Sequence, residues 1–418
     1  MHPSEVRVYL VPAEESSRNY DSWICGGAII HPFLVLTSAA CIEDVEKAYV
    51  IAGYHKYVKL SDLDKNECTK NMKRKIVDTY VPLSYELDYS NIEKWSALDI
   101  AVVKVDKQYR FDDQNFTKYC SYPPNKIDVN FDKQNEKPGT QAIVLGWGHT
   151  SKWRMEEDER DHNVKELLYG PTIIYPKNEC KKYYIKPNLS NIIDKYMICT
   201  DDYGLLYDSG ATDLTHQYVP ELEQMKLEYF TDYDVNSDDA IIDNVSKTNP
   251  DAEILGSKPG ICQNDHGGPL ISWINGTETV LGVASVFRVN QNLECVPPFL
   301  FTSTYRNKDL VKCLLNDKVD PNGCLQSQNE ENNKILSRRM YWNEQPNSSL
   351  RYRYRHRSVS WQLAMPICDQ CDANLASHWS RIRLFPPRHA PRAATVIRSA
   401  RIPRVAAECG VSWRDSTF

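Results

Sequence analysis

The chain has 418 residues, which is enough to bury a large core in one long domain or in two. Its formal net charge is -6, and no run of 18 apolar residues occurs, so we expect no membrane span. Thirteen cysteines at irregular spacing, without a zinc-ligand pattern, indicate disulfide bonds and an extracellular protein, and we expect neither a metal nor a cofactor.

Short β-rich segments separated by polar loops occupy residues 6–304. In chain order they read VRVYLV, CGGAIIHPFLVLTS, AYVIAG, KIVDTYV, DIAVVKV, QAIVLGWG, ELLYGPTIIY, PLISWI, TVLGVASVF and FLFTST. Many short strands without alternating helices predict an all-β fold built from antiparallel barrels or sandwiches. Only residues 307–317, NKDLVKCLLND, space their apolar side chains as a helix does, which predicts an amphipathic helix at the end of the domain.

The net charge combines regions of opposite sign. Residues 334–418 carry 15 Lys and Arg and 5 Asp and Glu, so this part is basic. Residues 1–333 carry 35 Lys and Arg and 51 Asp and Glu, so this part is acidic. The run 200–260 holds 14 Asp and Glu with 3 Lys, which indicates a solvated acidic insertion. We expect residues 317–333 to be a polar linker and 334–418 to be a disordered Arg-rich tail or a gene-model artefact. A polyanion-binding tail is the less favoured alternative.

The N-terminal segment and the sequons bear on localisation. The start, MHPSEVRVYL, shows no signal-peptide pattern, so we infer a secreted protein whose N-terminal coding region is truncated. N-glycosylation sequons support secretion. They begin at Asn115, Asn188, Asn244, Asn275 and Asn347.

Several separated motifs occur in the order typical of chymotrypsin-like serine peptidases. They are CGGAII, LTSAAC, DIAVVKV, GWG, MIC and CQNDHGGPL. The chain resembles this family over about residues 6–316, which implies a domain at 1–316 with two six-stranded antiparallel β-barrels and a C-terminal helix. The resemblance also implies the disulfides Cys25–Cys41, Cys180–Cys199 and Cys262–Cys295. Three pairings remain open for Cys68, Cys120, Cys313 and Cys324.

In this family, acyl transfer needs a hydroxyl nucleophile, an imidazole base, a buried carboxylate and two backbone N–H groups. Asp99 matches the carboxylate. By resemblance, Ala40 occupies the place of the base histidine, and His266 occupies the place of the nucleophilic serine. Asn264 replaces an oxyanion-hole glycine, and Asp265 matches the aspartate that pairs with a freed N-terminal amine. Because loss of the whole triad lowers turnover by about 10⁶-fold, we do not expect conventional proteolysis.

The resemblance also predicts an obstructed specificity pocket. Gly260 lies at the predicted pocket floor, where it offers no charge to a basic substrate side chain. Phe287 and Phe299 replace glycines of the pocket wall, and Ser285 completes the predicted lining. We therefore expect two bulky rings to hinder substrate entry.

His266 has a predicted structural role. Because Ala40 leaves room, the His266 ring can swing towards Asp99 and satisfy that carboxylate. Two ligands are too few for a metal site on this pair. We expect His31 and His55 to be strand-edge or surface residues.

These features resemble secreted, non-catalytic serine protease homologues. The resemblance implies a protein that binds a protease, a proenzyme or a surface ligand, as a regulatory cofactor in an extracellular protease cascade. The acidic insertion predicts basic contacts, and we expect no nucleic-acid partner. The alternative is an active serine endopeptidase whose residues at Ala40 and His266 are misrecorded.

Overall fold

The computed structural model describes residues 5–13, 22–206, 260–316 and 335–342, apart from the single residues 44, 89, 151, 156, 157, 159 and 186. Most of the acidic insertion, the polar linker and nearly all of the Arg-rich tail lie outside the described residues, so the predictions for them stay predictions.

The first sheet is a closed six-stranded barrel. Its strands are β1 (Arg7–Pro12), β2 (Cys25–His31), β3 (Leu34–Thr37), β4 (Ala48–Ile51), β5 (Arg74–Pro82) and β6 (Ala101–Val105). They follow the order β5-β4-β1-β2-β3-β6, and antiparallel pairing of β5 with β6 closes the ring. Side chains alternate along β1: Val8 and Leu10 enter the barrel core, whereas Tyr9 and Val11 join a second cluster that contains Trp147.

The second sheet is a half-barrel. Its strands are β7 (Asp128–Val129), β8 (Gln141–Gly146), β9 (Leu168–Ile173), β10 (Met197–Thr200), β11 (Pro269–Ile274), β12 (Thr277–Val289) and β13 (Cys295–Ser303). The path runs β10-β13-β12-β11-β8-β9, and β7 pairs with β12. Its two ends meet only at an isolated bridge between Ile174 and Thr200. The chymotrypsin-like fold predicted from the sequence is confirmed, although the second barrel is not fully closed.

Within the described residues, the α-helices are few and short. They are α1 (Glu67–Met72), α2 (Ile92–Ser96), α3 (Gln114–Tyr119), α4 (Lys177–Cys180), α5 (Ser190–Tyr196) and α6 (Lys308–Leu315). The predicted terminal helix is α6, which buries Leu310 and Val311. The sequence analysis missed the other five. Within the described ranges, no helix has both the length and the apolar character needed to cross a membrane.

The disulfides agree with the resemblance. The structure forms Cys25–Cys41, Cys180–Cys199 and Cys262–Cys295, and it pairs Cys68 of α1 with Cys120 at the end of α3. Cys313 is also disulfide-bonded. Of the three pairings that the sequence left open, the Cys68–Cys120 bond excludes the two that join Cys68 to Cys313 or to Cys324.

Residues 335–342 form part of the domain rather than a separate tail. Strand β14 (Ile335–Arg339) pairs antiparallel with β5. The Arg338 guanidinium donates hydrogen bonds to three backbone carbonyls of the segment 42–45. Met340 is buried in the core of the first barrel. The expected boundary at residue 316 therefore leaves out a strand that packs on this barrel, because its pairing partner is distant in sequence.

Candidate functional site

Asp99 lies just before β6, and its side chain is fully buried. Its Oδ1 accepts hydrogen bonds from Ser38 Oγ at 2.5 Å and the Ala40 N–H at 2.9 Å. Its Oδ2 accepts from Ser285 Oγ at 2.7 Å and lies 2.7 Å from His266 Nε2. Burial raises the pKa of Asp99, but the charge and hydrogen bond of His266, with the Ser38 and Ala40 bonds, hold it below its ordinary value. The carboxylate is therefore ionised and fully hydrogen-bonded.

His266 makes the contact predicted for it. Its ring reaches Asp99, and the side chain is 20% exposed. On the other side, the ring centroid lies 5.9 Å from that of Trp95 in α2. The backbone carbonyl of His266 accepts a 2.7 Å hydrogen bond from the Gly26 N–H of β2. Backbone and side chain of this residue thus join the loop 262–268 to the first barrel.

The chemistry available to this pair is limited by its neighbours. An imidazole held by a buried carboxylate acts as a base when a hydroxyl or thiol meets its other ring nitrogen. No hydroxyl or thiol hydrogen-bonds to the His266 ring within the described part of the chain. The Ser38 and Ser285 hydroxyls both donate to Asp99 instead.

Asn264 keeps a backbone conformation that glycine adopts more easily. Its φ is 73°, in the left-handed region, where asparagine is one of the better-tolerated residues. The side-chain Nδ2 donates to the Ser22 carbonyl at 3.2 Å and to Asn163 Oδ1 at 2.8 Å. These two bonds stabilise the left-handed turn despite the loss of the predicted glycine.

Asp265 lies deep in the same loop. Its carboxylate accepts hydrogen bonds from the Gly148 N–H at 3.0 Å and the Cys262 N–H at 3.1 Å. A Cβ on Gly146 or Gly148 would overlap this carboxylate, so glycine is required at both positions. Burial raises the pKa of Asp265 to about 6, although the positive charge of Arg7 and the two N–H bonds lower it.

A cavity of about 50 Å³ lies beside Gly260, the residue predicted for the floor of the specificity pocket. Gly260, Phe299 and the Cys262–Cys295 disulfide line it. The Phe299 ring lies against Gly260 so closely that a Cβ on this glycine would overlap it. The cavity is several-fold smaller than the roughly 300–1,000 Å³ of sites for small ligands.

The other two predicted pocket residues lie elsewhere. Phe287 packs on Trp153, with ring centroids 5.7 Å apart, and does not line the cavity. Ser285 turns its hydroxyl to Asp99. Of the four residues predicted for the specificity pocket, Gly260 and Phe299 line this cavity, whereas Ser285 and Phe287 do not.

The remaining histidines match their predicted positions. His31 ends β2 and accepts a hydrogen bond from the Phe33 N–H at 3.3 Å. His55 is a surface residue whose Nε2 lies 3.1 Å from Glu166. Among the described residues, no group of three or more His, Cys, Asp or Glu side chains could hold a metal ion.

Two contributors to the site were missed. The Ser38 hydroxyl bonds to Asp99, and its signal in the sequence is a hydroxyl residue two positions before Ala40. Arg7 is fully buried, and its signal is a single arginine inside the apolar run VRVYLV.

Comparisons with known proteins agree with the fold. A family model described as Trypsin matches residues 9–211. Venom serine protease 34 of Apis mellifera is 30% identical over 173 residues, which is 40% of this chain and 36% of the relative. Vitamin K-dependent protein C of Oryctolagus cuniculus is 22% identical over 262 residues, 62% of this chain and 40% of the relative. Chymotrypsin of Phaedon cochleariae is 26% identical over 150 residues, 36% of this chain and 46% of the relative.

Among solved structures, the mouse serine protease neuropsin aligns with a TM-score of 0.44 and 16% identity, over 75% of this chain and 96% of its own. The chain spans less than half the length of each of the three sequence relatives. Residues 9–211 match the Trypsin family model and the sequence relatives are serine proteases, so this part of the chain is similar to the trypsin-like serine proteases.

Proposed function

We propose that the chain is a catalytically inactive serine protease homologue that acts by binding other proteins. The observation that carries this proposal is the 2.7 Å contact between His266 Nε2 and Asp99. The imidazole stands in the loop where the family resemblance expects the serine, and it uses the carboxylate that would orient a base. Ala40 supplies no imidazole of its own.

The surroundings of Asp99 support a structural role. A buried carboxylate left without partners is costly, and here four donors satisfy it. Ser38 and Ser285 are committed to this network, so neither hydroxyl is available for attack. The network stabilises the domain and presents no nucleophile to a peptide bond.

The obstructed pocket supports loss of substrate recognition. A substrate side chain has to enter a specificity pocket before its peptide bond can be positioned. Phe299 occupies the space beside Gly260, and about 50 Å³ remains. Even a restored triad would therefore lack the usual means of holding substrate.

The proposed setting is extracellular, with a protein partner. The described part of the chain contains four complete disulfides, which are typical of oxidising compartments. The proposed partner is a protease, a proenzyme or a surface ligand, and the proposed role is a regulatory cofactor in a protease cascade.

A peptidase assay tests the inactive state. We expect the wild-type chain to cleave no member of a broad peptide library, at a level equal to that of the Asp99→Asn variant. Cleavage by the wild-type chain that Asp99→Asn abolishes would instead support the alternative of an active endopeptidase.

Binding through the acidic insertion is tested separately. We expect the wild-type chain to bind a polylysine surface, to release it as salt is raised, and to lose this binding when residues 207–259 are deleted. An unchanged affinity in the deletion variant would remove the insertion from the proposed binding role.

A further inference from the structure

The structure buries two opposite charges near Trp147, the tryptophan that follows β8. Arg7 of β1 is 1% exposed and Asp265 is 7% exposed. The guanidinium carbon of Arg7 lies 5.8 Å from the centre of the Trp147 ring. Asp265 contacts the glycines on both sides of this tryptophan, Gly146 and Gly148. Burying either charge alone would be strongly unfavourable.

The position of Arg7 connects the first barrel to the loop 262–268. Its guanidinium lies against both Gly26 of β2 and Gly268 of the loop, and a Cβ on either glycine would overlap it. Within the described residues, no acceptor hydrogen-bonds to its Nε or Nη1. The side chain is therefore held by packing and by charge rather than by a complete set of hydrogen bonds.

We propose that Arg7 is a built-in positive counter-charge for Asp265 and that it holds the loop 262–268 in its ordered form. The family resemblance assigns this task to a freed N-terminal amine. Here a side chain within β1 carries the positive charge, so the ordering of the loop does not depend on a cut in the chain before β1. Arg7 is a positioning residue in this proposal, because it acts on the loop through Asp265.

Electrostatics supports the pairing in both directions. Burial lowers the pKa of Arg7 to about 10, and the charge of Asp265 raises it. Burial likewise raises the pKa of Asp265, and the charge of Arg7 lowers it. Each group therefore favours the ionised form of the other.

The chain offers a matched control in Arg74, which is 8% exposed and packs over the rings of Tyr109 and Phe116. Arg74 packs on these rings rather than on the loop 262–268, and its Nη1 donates to the Met72 carbonyl. Removing Arg74 tests the loss of a buried arginine without the loss of a buried counter-charge.

Amide hydrogen exchange of the full chain tests the proposal. We expect Arg7→Met to raise the opening constant of the 262–268 amides by about tenfold or more, and Arg74→Met to leave it within about twofold. Arg7→Lys keeps the charge and should restore most of the protection. Adding Asp265→Asn to Arg7→Met should also restore protection, because it removes the uncompensated carboxylate.

Several results would overturn the proposal. The first is an equal rise of the opening constant in Arg7→Met and Arg74→Met. The second is full additivity of the effects of Arg7→Met and Asp265→Asn on that constant. The third is a loss of loop protection when the N-terminal amine is acetylated. If Arg7→Met does not fold, Arg7→Lys and Arg7→Gln decide the matter. Arg7→Lys keeps the charge and should keep the loop protected, whereas the neutral Arg7→Gln should loosen it; equal protection in the two variants would overturn the proposal.

Discussion

The replacement His266→Ala removes the contact between the imidazole and Asp99. That contact is 2.7 Å long, and its acceptor is fully buried. A hydrogen bond to a charged group contributes about 1.5–3 kcal/mol. Because Ser38, Ala40 and Ser285 still donate to the carboxylate, we expect a loss of that size in the free energy of unfolding at pH 7, measured by urea denaturation.

The pH dependence of this loss follows from the direction of the Asp99 shift. The pKa of Asp99 lies below its ordinary 3.8 in the folded protein, so its contribution to stability is present above pH 3.8 and is lost as pH falls through the folded pKa. The penalty of His266→Ala should therefore shrink in acid. A constant penalty from pH 7 down to the lowest pH at which the protein stays folded would contradict the role assigned to this carboxylate.

A surface pair provides the matched control for this experiment. His162 Nε2 lies 2.8 Å from Asp158 Oδ2, but this pair is solvent-exposed. Solvent screens exposed pairs, so His162→Ala should cost much less than His266→Ala. Equal losses for the two variants would refute the argument that burial gives the His266 contact its strength.

Three further predictions concern the same domain. Because burial raises the pKa of Asp265 to about 6, the free energy of unfolding should fall by about 2 kcal/mol between pH 4 and pH 7 from this group alone, and Asp265→Asn should remove that part of the slope in urea titrations. Phe299→Gly should lower the free energy of unfolding by about 3–5 kcal/mol, and it should create a cavity that binds benzene in a thermal-shift assay. The control is Phe287→Gly. No binding by Phe299→Gly, or equal binding by the two variants, would contradict this prediction. Asn275 begins an exposed sequon at the β11–β12 turn, so Asn275→Gln should remove one glycan mass from protein secreted by a eukaryotic host; an unchanged mass would exclude this site.

The strands could be predicted because their signals are local, and three disulfides were implied by the family resemblance. Apolar runs such as VRVYLV and QAIVLGWG bury their side chains in β1 and β8 as expected. The short helices were missed because four to seven residues give too little periodicity to read. Strand β14 was missed because its pairing with β5 spans more than 250 residues of sequence.

The sequence motifs point to the substituted positions of the candidate site, but they do not reveal most of the contacts that the side chains make there. The family motifs gave Ala40 and His266 as the substituted positions, which stay predictions, and the structure places the Phe299 ring against Gly260. The turn of Ser285 towards Asp99 is a tertiary contact that its position within a β-strand does not reveal. The burial of Arg7 was also hidden, because a single arginine in an apolar strand usually indicates an exposed edge.

The most direct measurement is intact-mass spectrometry after treatment with a fluorophosphonate, which labels an activated serine hydroxyl. The variant Ala40→His with His266→Ser serves as the positive comparison, because it returns both predicted residues beside Asp99. We predict no adduct on the wild-type chain and an adduct at position 266 of the double variant. A stoichiometric adduct on the wild-type chain that Asp99→Asn abolishes would contradict the proposed loss of catalysis.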